Sequence, residues 1–486
     1  MWMPRFSVGV NFRFGGAGAK GMLLALPIAC FSLPVHSETL IDALVQAYQS
    51  NPQLQSQRAA LRATDETVPQ ALSGWRPQVT ASGSYGHQRT RTEQPLSFIG
   101  AGATISNDRT VSPLGVDVTV RQPLFRGGQT YYGTRRAEAG VRAGREQLSA
   151  TEQSVLLSTV TAYMDVVADG SVVALNNNQV EVLSRQLEAS NDRFRVGEIT
   201  RTGVAQSEAR LSASKSSLTA AEASLTASKS AYERIVGQLP VQLDPPPPLP
   251  ALPETEEAAV EMALSNNPTL RAALEAERAS AHAVQAEIGR LLPSVSLEGN
   301  AQLGEDQGSE GFQQDQIGVA MQVSVPLYQS GAVYSSVRQA RQVNSQRKLE
   351  AAQARRQVIE GVHNAWEGLR SARARIVSDE AAVRANRIAL DGVRQEAEVG
   401  SRTTLDVLDA EQELLNTQVA LVRSQRNEYV AAYSLLAAIG GLTAGQIGLP
   451  VEIYDPVEHY DRVHYKLLGT RDRWQLPGFG SDENGN

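Results

Sequence analysis

The sequence predicts a mixed α/β membrane protein in which one helix–strand–strand–helix unit is present twice. Three observations support this fold class. Landmark residues recur at a fixed offset, short segments alternate polar and apolar side chains, and long segments carry an apolar side chain every seven residues. A fixed offset indicates duplication, alternation indicates β-strands with one apolar face, and the seven-residue period indicates helices packed as coiled coils.

The duplication is clearest at a motif that opens each unit. Asn-Pro-Gln-Leu at 51–54 recurs as Asn-Pro-Thr-Leu at 267–270, and the distance from 51 to 267 is here called the long offset. Further along each unit a Val-Gly pair recurs, as Val196-Gly197 and Val399-Gly400, and the distance from 196 to 399 is here called the short offset. Because the second distance is smaller, we expect the first unit to have a longer loop between its two strands.

These offsets divide the chain into five parts. We expect a signal peptide at 1–37, a first repeat at 38–237, a linker at 238–253, a second repeat at 254–440, and a C-terminal extension at 441–486. The linker contains four consecutive prolines, which favour a stiff extended chain. The extension matches neither repeat, and its polar end, 478–486, is expected to be disordered.

The first 37 residues have the pattern of a secretory signal. Basic residues precede a short apolar segment at 22–35, and small residues surround the expected cleavage site after Ser37. That segment is too short, and too interrupted by proline, to remain as a membrane-spanning helix. Lipid attachment at Cys30 is left open, although Pro27 stands where a lipoprotein signal usually has leucine.

Composition excludes several classes of function. The 486 residues carry 45 basic and 52 acidic side chains, a formal net charge of −7, which argues against binding nucleic acid by neutralising phosphates. The single cysteine excludes a disulfide framework and a cysteine zinc site. HExxH, Walker and GxSxG motifs are missing, and the histidines lack ligand spacing. We therefore expect no enzyme activity, no cofactor and no metal.

Four strands are predicted, at about 78–88, 113–125, 294–304 and 315–328. Each alternates apolar and polar residues over about the 9–11 residues that a tilted strand needs to cross a bilayer. A half-buried sheet of a soluble domain would show the same alternation, so the pattern alone leaves both possibilities open. Aromatic side chains near the strand ends are candidates for a membrane-interface girdle: Trp75, Tyr85, Phe125 and Tyr328.

Long helices follow the second strand of each repeat. The segment from about Thr130 to Val196 has no strong breaker, and at 1.5 Å per residue it measures on the order of 100 Å. We expect each long helix to end at a tight hairpin, Val196-Gly197 or Val399-Gly400, where glycine supplies a left-handed C-cap. In the second hairpin Thr403 and Asp406 have the spacing of a capping box.

Four strands cannot close a barrel, and open sheet edges cannot face lipid. If the strands lie in a membrane, several chains must share one barrel. Three chains supply twelve strands, and their long helices supply a matching cylinder. With three chains the expected assembly is a 12-stranded trimeric β-barrel continued by an α-helical coiled-coil barrel.

The sequence resembles the TolC family of outer-membrane export channels. The resemblance rests on the duplicated unit, the Asn-Pro-x-Leu pairs, the Val-Gly hairpins and residues 403–410, Thr-Thr-Leu-Asp-Val-Leu-Asp-Ala, and it covers residues 38–440. It implies a homotrimer in outer-membrane lipid, with the helices in the periplasm, acting as a passive duct gated at its periplasmic end. It also implies a periplasmic adaptor and an inner-membrane pump of the ABC or RND type. The cargo, a secreted protein or small molecules, is left open.

The resemblance also assigns roles to individual residues. Asp406 and Asp409 lie three apart, hence on one helix face, and match the pair that lines the periplasmic constriction as a cation-selective ring. Asp406 also suits a capping role. Arg402 matches the arginine that helps to hold the closed end by bonding to the neighbouring hairpin. The hairpin tips, Val196, Gly197, Val399 and Gly400, match the adaptor-docking positions.

Two positions depart from the family pattern. Ala397 stands where a gate tyrosine is expected, and Gly203 stands where an aspartate is expected. We therefore expect the closed end to be held by different bonds, in which Glu396, Glu398 or Glu198 substitutes.

Two other classes of function compete with the export channel. One is another outer-membrane trimer without an export role, although a porin would supply more strands per chain. The other is a coiled-coil scaffold in the periplasm, which would be extracted without detergent and would not conduct ions in a bilayer.

Overall fold

The structure is a computed structural model that describes residues 37–95 and 104–470. The predicted signal segment up to residue 36, with Cys30, and the C-terminal residues expected to be disordered lie outside the described residues. From Glu38 onwards the chain forms a single unit.

Ten helices and six strands make up the described residues. In chain order they are α1 Leu40–Ser50, α2 Pro52–Asp65, α3 Thr67–Leu72, β1 Gln78–Tyr85, β2 Gln88–Pro95, β3 Thr104–Val111, β4 Leu114–Arg126, α4 Gln129–Arg195, α5 Arg201–Val236, α6 Glu256–Asn266, α7 Pro268–Gly289, β5 Ser294–Glu305, β6 Gln313–Ser324, α8 Ala332–Glu398, α9 Thr404–Ala438 and α10 Glu458–His464. A short 3₁₀ turn, Ser73–Trp75, precedes β1.

The four predicted strands are present as β1, β4, β5 and β6, and β2 and β3 form an additional hairpin that the sequence did not predict. Their sequences, QRTRTEQP and TISNDRTV, are polar on both faces, so a search for apolar alternation misses them. The hairpin continues beyond β1 and β4 after a break, at which the Gly86 amide donates to the Pro113 carbonyl (3.0 Å). An ion pair between Arg89 and Asp108 joins its strands.

The other four strands form one antiparallel sheet in the order β1-β4-β5-β6. The pairing places apolar side chains side by side: Ala81 lies opposite Val118, Val118 opposite Ala301, and Ala301 opposite Ile317. The opposite face carries polar neighbours such as Thr119. The sheet therefore has one continuous apolar face, and its outer strands, β1 and β6, have no partner along their free edges among the described strands.

The strand pairing repeats the sequence duplication. In the first hairpin Gln78 pairs with Arg121, and in the second Ser294 pairs with Ser324. The long offset relates the first members of these two pairs, and the short offset relates the second members. The two repeats thus share one hairpin register, and β4 and β5 join them within the chain.

Two helical hairpins account for most of the chain. Helices α4 and α8 have 67 residues each, which corresponds to roughly 100 Å, and they turn back into α5 (36 residues) and α9 (35 residues). Leu183, Leu211 and Leu408, one from each of three helices, form a small buried cluster between the hairpins, and Val180 and Leu187 of α4, seven residues apart, pack against it. The large core lies nearer the middle of the long helices, where α4 packs against α1 and α9.

The Asn-Pro motif joins the start of each repeat to its end. The Asn51 side chain caps α2 by accepting from the Gln53 amide (2.9 Å), and its amide group donates to the Ile235 carbonyl at the end of α5 (2.9 Å). Asn267 caps α7 in the same way and donates to the Ala438 carbonyl at the end of α9 (3.0 Å). Asparagine suits both tasks because its side chain has an acceptor and a donor.

The linker is held against the first repeat by the buried Tyr163 and by Glu38, whose backbone pairs with Gln242 and Asp244. The Tyr163 hydroxyl donates to the Asp244 carbonyl (2.7 Å) and to the Glu38 carbonyl (3.1 Å). The Tyr232 hydroxyl donates to the Glu38 carboxylate (2.6 Å). Burial raises the pKa of both phenols well above the ordinary value of 10.0, so both remain donors at neutral pH.

One described helix, α4, contains an 18-residue window that is apolar enough to cross a membrane by composition alone. Half of that window is buried inside the structure. The apolar residues, including Val155, Leu156 and Val160, belong to the large core. Packing within the chain therefore accounts for this stretch.

Residues 441–470, here called the C-terminal strap, fold along the first repeat. The Ala444 amide donates to the Glu152 carboxylate of α4 (2.7 Å), and the His459 ring pairs with the buried Asp65 carboxylate of α2 (3.0 Å). Arg58 is buried between the rings of Tyr48 and Tyr454, 4.6 and 5.0 Å from their centroids. The described part of the C-terminal extension is thus an ordered part of the fold.

Candidate functional site at the hairpin tips

Both hairpins end in the turn that the sequence predicts. Gly197 and Gly400 have φ angles of +79° and +78°, a left-handed conformation that favours glycine. In each turn the residue after glycine donates back to the helix: Glu198 to the Arg193 carbonyl and Ser401 to the Glu396 carbonyl, both at 2.9 Å. The turns leave two valines at the surface, Val196 (78% exposed) and Val399 (81% exposed).

Arg402 pairs within its own hairpin. Its Nε donates to the Glu396 carboxylate at 2.8 Å, and this hydrogen bond raises the pKa of Arg402 above its ordinary value. Of the three candidate glutamates, the structure thus joins Glu396 to Arg402. Glu198 instead pairs with Arg193 on the first hairpin (2.6 Å). Both ion pairs are exposed, so each contributes little to the stability of the monomer.

Asp406 forms the predicted capping box. Its carboxylate accepts from the Thr403 amide (2.9 Å) and hydroxyl (2.8 Å), while the Asp406 amide donates to the Thr403 hydroxyl (3.3 Å). The backbone hydrogen bond, followed by the hydroxyl bond, lowers the Asp406 pKa below its ordinary value of 3.8. The stability that this charge contributes is present above pH 3.8 and is lost as the pH falls through the lower folded pKa.

Asp409 has a partner that local spacing does not reveal. Its carboxylate forms an ion pair with Arg210 of α5, so the contact joins the two hairpins. The pair depends on how the hairpins pack, because residues 210 and 409 are far apart in the chain. The sequence carries no local signal for this pair, because the repeat alignment makes α5 and α9 equivalent helices without showing that they are in contact. The charge of Asp409 is thus accompanied by a nearby positive charge.

Gly203 and Ala397, the positions that depart from the family pattern, line one cavity between the hairpin tips. The cavity has a volume of about 440 Å³, and Arg402, Thr403 and Gln206 also line it. A second cavity of about 240 Å³ lies beside Ala397 and is bordered by Glu411, which pairs with Arg394. The small side chains leave open space between the tips, which are joined instead by the Arg210–Asp409 pair.

The tips offer charges and hydrogen bonds but no metal cage. Across the described ranges, no group of three or more histidine, cysteine or acidic side chains is arranged to hold a metal ion. The arrangement is suited to attracting or repelling charged solutes and to contacting another protein.

A sheet with one apolar face, joined directly to helical hairpins whose long helices measure about 100 Å, is the architecture expected of a subunit of an outer-membrane channel. The chain belongs to the outer membrane efflux protein family, whose model matches residues 43–238 and 259–441. This family consists of channel proteins, which are not enzymes, and the chain is accordingly an outer-membrane export channel.

Known proteins of similar sequence agree with this assignment. The chain is 37% identical over 437 residues to the outer membrane efflux protein BepC of Brucella suis, covering 90% of this chain and 92% of BepC. It is 26% identical over 447 residues to the outer membrane protein TolC of Escherichia coli, covering 87% and 86%. The resemblance to the TolC family is therefore confirmed.

A solved structure has the same fold. The outer-membrane channel OprN superposes with a TM-score of 0.71 at 21% sequence identity, covering 83% of this chain and 90% of OprN. This likeness supports the order and arrangement of the strands and helices. The roles proposed for individual side chains depend instead on the contacts described above.

Proposed function

We propose that three copies of this chain close a 12-stranded barrel in the outer membrane and continue it as a helical cylinder in the periplasm. The observation that carries this proposal is the four-stranded sheet, which has two open edges and an apolar face. Ile317 and Val319 on that face are 88% and 74% exposed in the single chain. Lipid would cover the apolar face, and pairing between copies would satisfy the free edges.

The cylinder is a passive duct for export. A pump of the ABC or RND type in the inner membrane delivers cargo through a periplasmic adaptor, which docks on the hairpin tips. The two exposed valines, Val196 and Val399, and the turns formed by Gly197 and Gly400 supply its contact surface. Exposed apolar side chains on rigid turns are suitable anchors for a protein partner.

Asp406 and Asp409 form the cation-selective ring at the periplasmic end. Three copies bring six carboxylates towards one axis, and a ring of this kind attracts cations. The cap at Thr403 holds Asp406 ionised, and Arg210 compensates part of the charge of Asp409. Arg402, which pairs with Glu396 in its own hairpin, helps to hold the closed end.

The assembly is tested by light scattering on detergent-extracted protein. The expected mass is that of three chains, because one chain leaves two sheet edges open. A stable monomer with its strand content intact, measured by circular dichroism, contradicts the shared barrel. A protein that is released without detergent supports the periplasmic scaffold instead.

The ring is tested by single-channel recording in planar bilayers. Replacing both Asp406 and Asp409 with asparagine removes the charges and keeps oxygen acceptors, so block by multivalent cations should be lost. The matched control is Asp192→Asn, which removes an exposed carboxylate that pairs with Arg195 near the other tip. Unchanged block in the double variant excludes these two residues from the constriction.

Cargo is tested in a deletion strain. The name of BepC describes an efflux protein without saying whether its cargo is a protein or a small molecule, so both kinds of cargo are tested. Increased sensitivity to drugs with an unchanged secretome supports efflux. Loss of a secreted protein with unchanged drug sensitivity supports type I secretion.

A further inference from the structure

The C-terminal strap runs from the middle of the molecule to the helix-side end of the sheet. It contacts α4 through Ala444, α2 through His459, and finally the residues that lead into β1. There the Arg76 guanidinium donates to the Lys466 carbonyl at 3.0 Å. Because Arg76 lies just before the first residue of β1, the strap ends beside the base of the sheet.

The end of the strap exposes apolar side chains at this level. Tyr465, Leu467 and Leu468 are 77%, 71% and 90% exposed. Trp75, which precedes Arg76, is also exposed, and its carbonyl accepts from the Gln122 side chain of β4 at 2.8 Å. The backbone that carries these side chains is therefore fixed by two hydrogen bonds, one from Arg76 just before β1 to the strap and one from Gln122 of β4 to Trp75.

The helix-side end of the sheet exposes further apolar side chains. Phe125 near the end of β4, and Leu327 and Tyr328 after β6, are exposed there. Basic side chains accompany these groups, since Arg76 follows Trp75 and Lys466 lies within the strap end. Aromatic and leucine side chains mixed with basic residues are typical of segments that lie at the interface between water and lipid headgroups.

We infer that the strap end, residues Tyr465–Leu468, is an interfacial anchor that inserts into the periplasmic leaflet of the outer membrane. This inference rests on the proposed function, because it requires the sheet to lie in the bilayer. Its occupant is the phospholipid leaflet. Two observations favour lipid: the strap end lies level with the end of the apolar face, and two basic residues accompany it, Lys466 within the segment and Arg76 beside it, as an anionic headgroup surface requires.

The anchor gives the C-terminal extension a role that neither repeat supplies. The strap follows α2 and is tied to α4, so a fixed strap end connects the membrane surface to the core at the middle of the long helices. Apolar side chains at this exposure are unfavourable in water, and a lipid interface removes that cost without a protein partner.

The inference is tested by spin labelling of the full chain in phospholipid vesicles, with Cys30 replaced by serine. A label at Leu468→Cys reports the strap end, Val319→Cys reports the apolar face of β6, and Val241→Cys reports an exposed linker position. Accessibility to oxygen, which partitions into lipid, is compared with accessibility to a water-soluble nickel chelate. We expect the ratio at 468 to shift from the value at 241 towards the value at 319.

Three results overturn the inference, and they are distinguishable. An aqueous ratio at 468 with a lipid ratio at 319 removes the anchor and leaves the channel in place. A label at 468 that neither reagent reaches indicates packing against protein, including a second copy. An aqueous ratio at 319 removes the membrane position of the sheet, and with it both the proposed function and the anchor.

The charges near the anchor provide a second measurement. Vesicles that contain anionic phospholipid should increase the oxygen-to-nickel ratio at 468 relative to purely zwitterionic vesicles, because Arg76 and Lys466 lie at the headgroup surface. The label at 319 is the internal control, since its side chain lies within the apolar face. An equal response at both labels, or a decrease at 468, contradicts the anchor.

Discussion

The strand pairing between two copies can be predicted from the pairing of β4 with β5 within one copy. Strands β4 and β5 belong to different repeats, and they pair within the chain with Val118 opposite Ala301. In the proposed ring the equivalent strands are β6 of one copy and β1 of the next. Adding the short offset to position 118 gives Met321, and subtracting the long offset from position 301 gives Tyr85. We therefore predict that Met321 lies opposite Tyr85 of the adjacent copy.

A cysteine pair tests this register. Directly opposed residues of an antiparallel pair have Cα atoms about 4.5–5.5 Å apart, within the range of about 4.4–6.8 Å that a disulfide requires. Met321 and Tyr85 are both largely exposed in one chain, so neither substitution removes core packing. With Cys30 replaced by serine, oxidation of the Met321→Cys, Tyr85→Cys variant should give covalent trimers on non-reducing gels.

The control is a pair shifted by two positions, Val319→Cys with Tyr85→Cys. It keeps both side chains on the same face but moves them to diagonal positions about 7–8 Å apart, beyond easy disulfide formation. Covalent trimers from the shifted pair at the same rate would show that the register is not inherited from the duplication. Monomers from both pairs, with strands intact, would refute the shared seam itself.

The remaining predictions concern the tips and the repeat joints. Arg210→Gln should strengthen block by a divalent cation. In the trimer, three Arg210 guanidiniums at roughly 10 Å from the bound ion repel it by about 1 kcal/mol after screening, so their removal should raise the affinity for the ion roughly fivefold. Arg370→Gln, which removes an exposed ion pair far along α8, is the control for this single-channel measurement. Asn267→Ala should lower the free energy of unfolding in urea by about 1–3 kcal/mol, because a helix cap and a hydrogen bond to the Ala438 carbonyl are lost. Thr403→Val removes a hydroxyl donor to the Asp406 carboxylate, so the pKa of Asp406 should rise towards 3.8. As the pH is lowered, cation block should then weaken at a higher pH than in the parent protein. Identical pH profiles of block in the two proteins would contradict the assignment.

The sequence was sufficient for features that repeat or that are local. The two offsets predicted the duplicated fold, and the structure uses the same offsets in its strand register. The Thr403–Asp406 spacing predicted a capping box, which is present. Such features depend on residues close in sequence or on a period, and both can be read from one chain.

Features that depend on packing between distant segments were missed. Hairpin β2–β3 is polar on both faces, so it lacks the apolar alternation that identifies the other strands. The Arg210–Asp409 pair joins two helices that are adjacent only in the folded chain. The strap contacts were also not predicted, because residues 441–470 have no counterpart in either repeat to suggest a position.

The dual role of Asp406 has a consequence for anyone who wishes to retune conductance. The oxygen that would meet a passing ion also fastens the first turn of α9 to Thr403. Asp406→Ala would loosen the first turn of α9 and remove the negative charge at the same time, so a single-channel recording could not separate the two effects. An amide of the same shape keeps the fastening, so asparagine scanning, not alanine scanning, is the cleaner tool for engineering this opening.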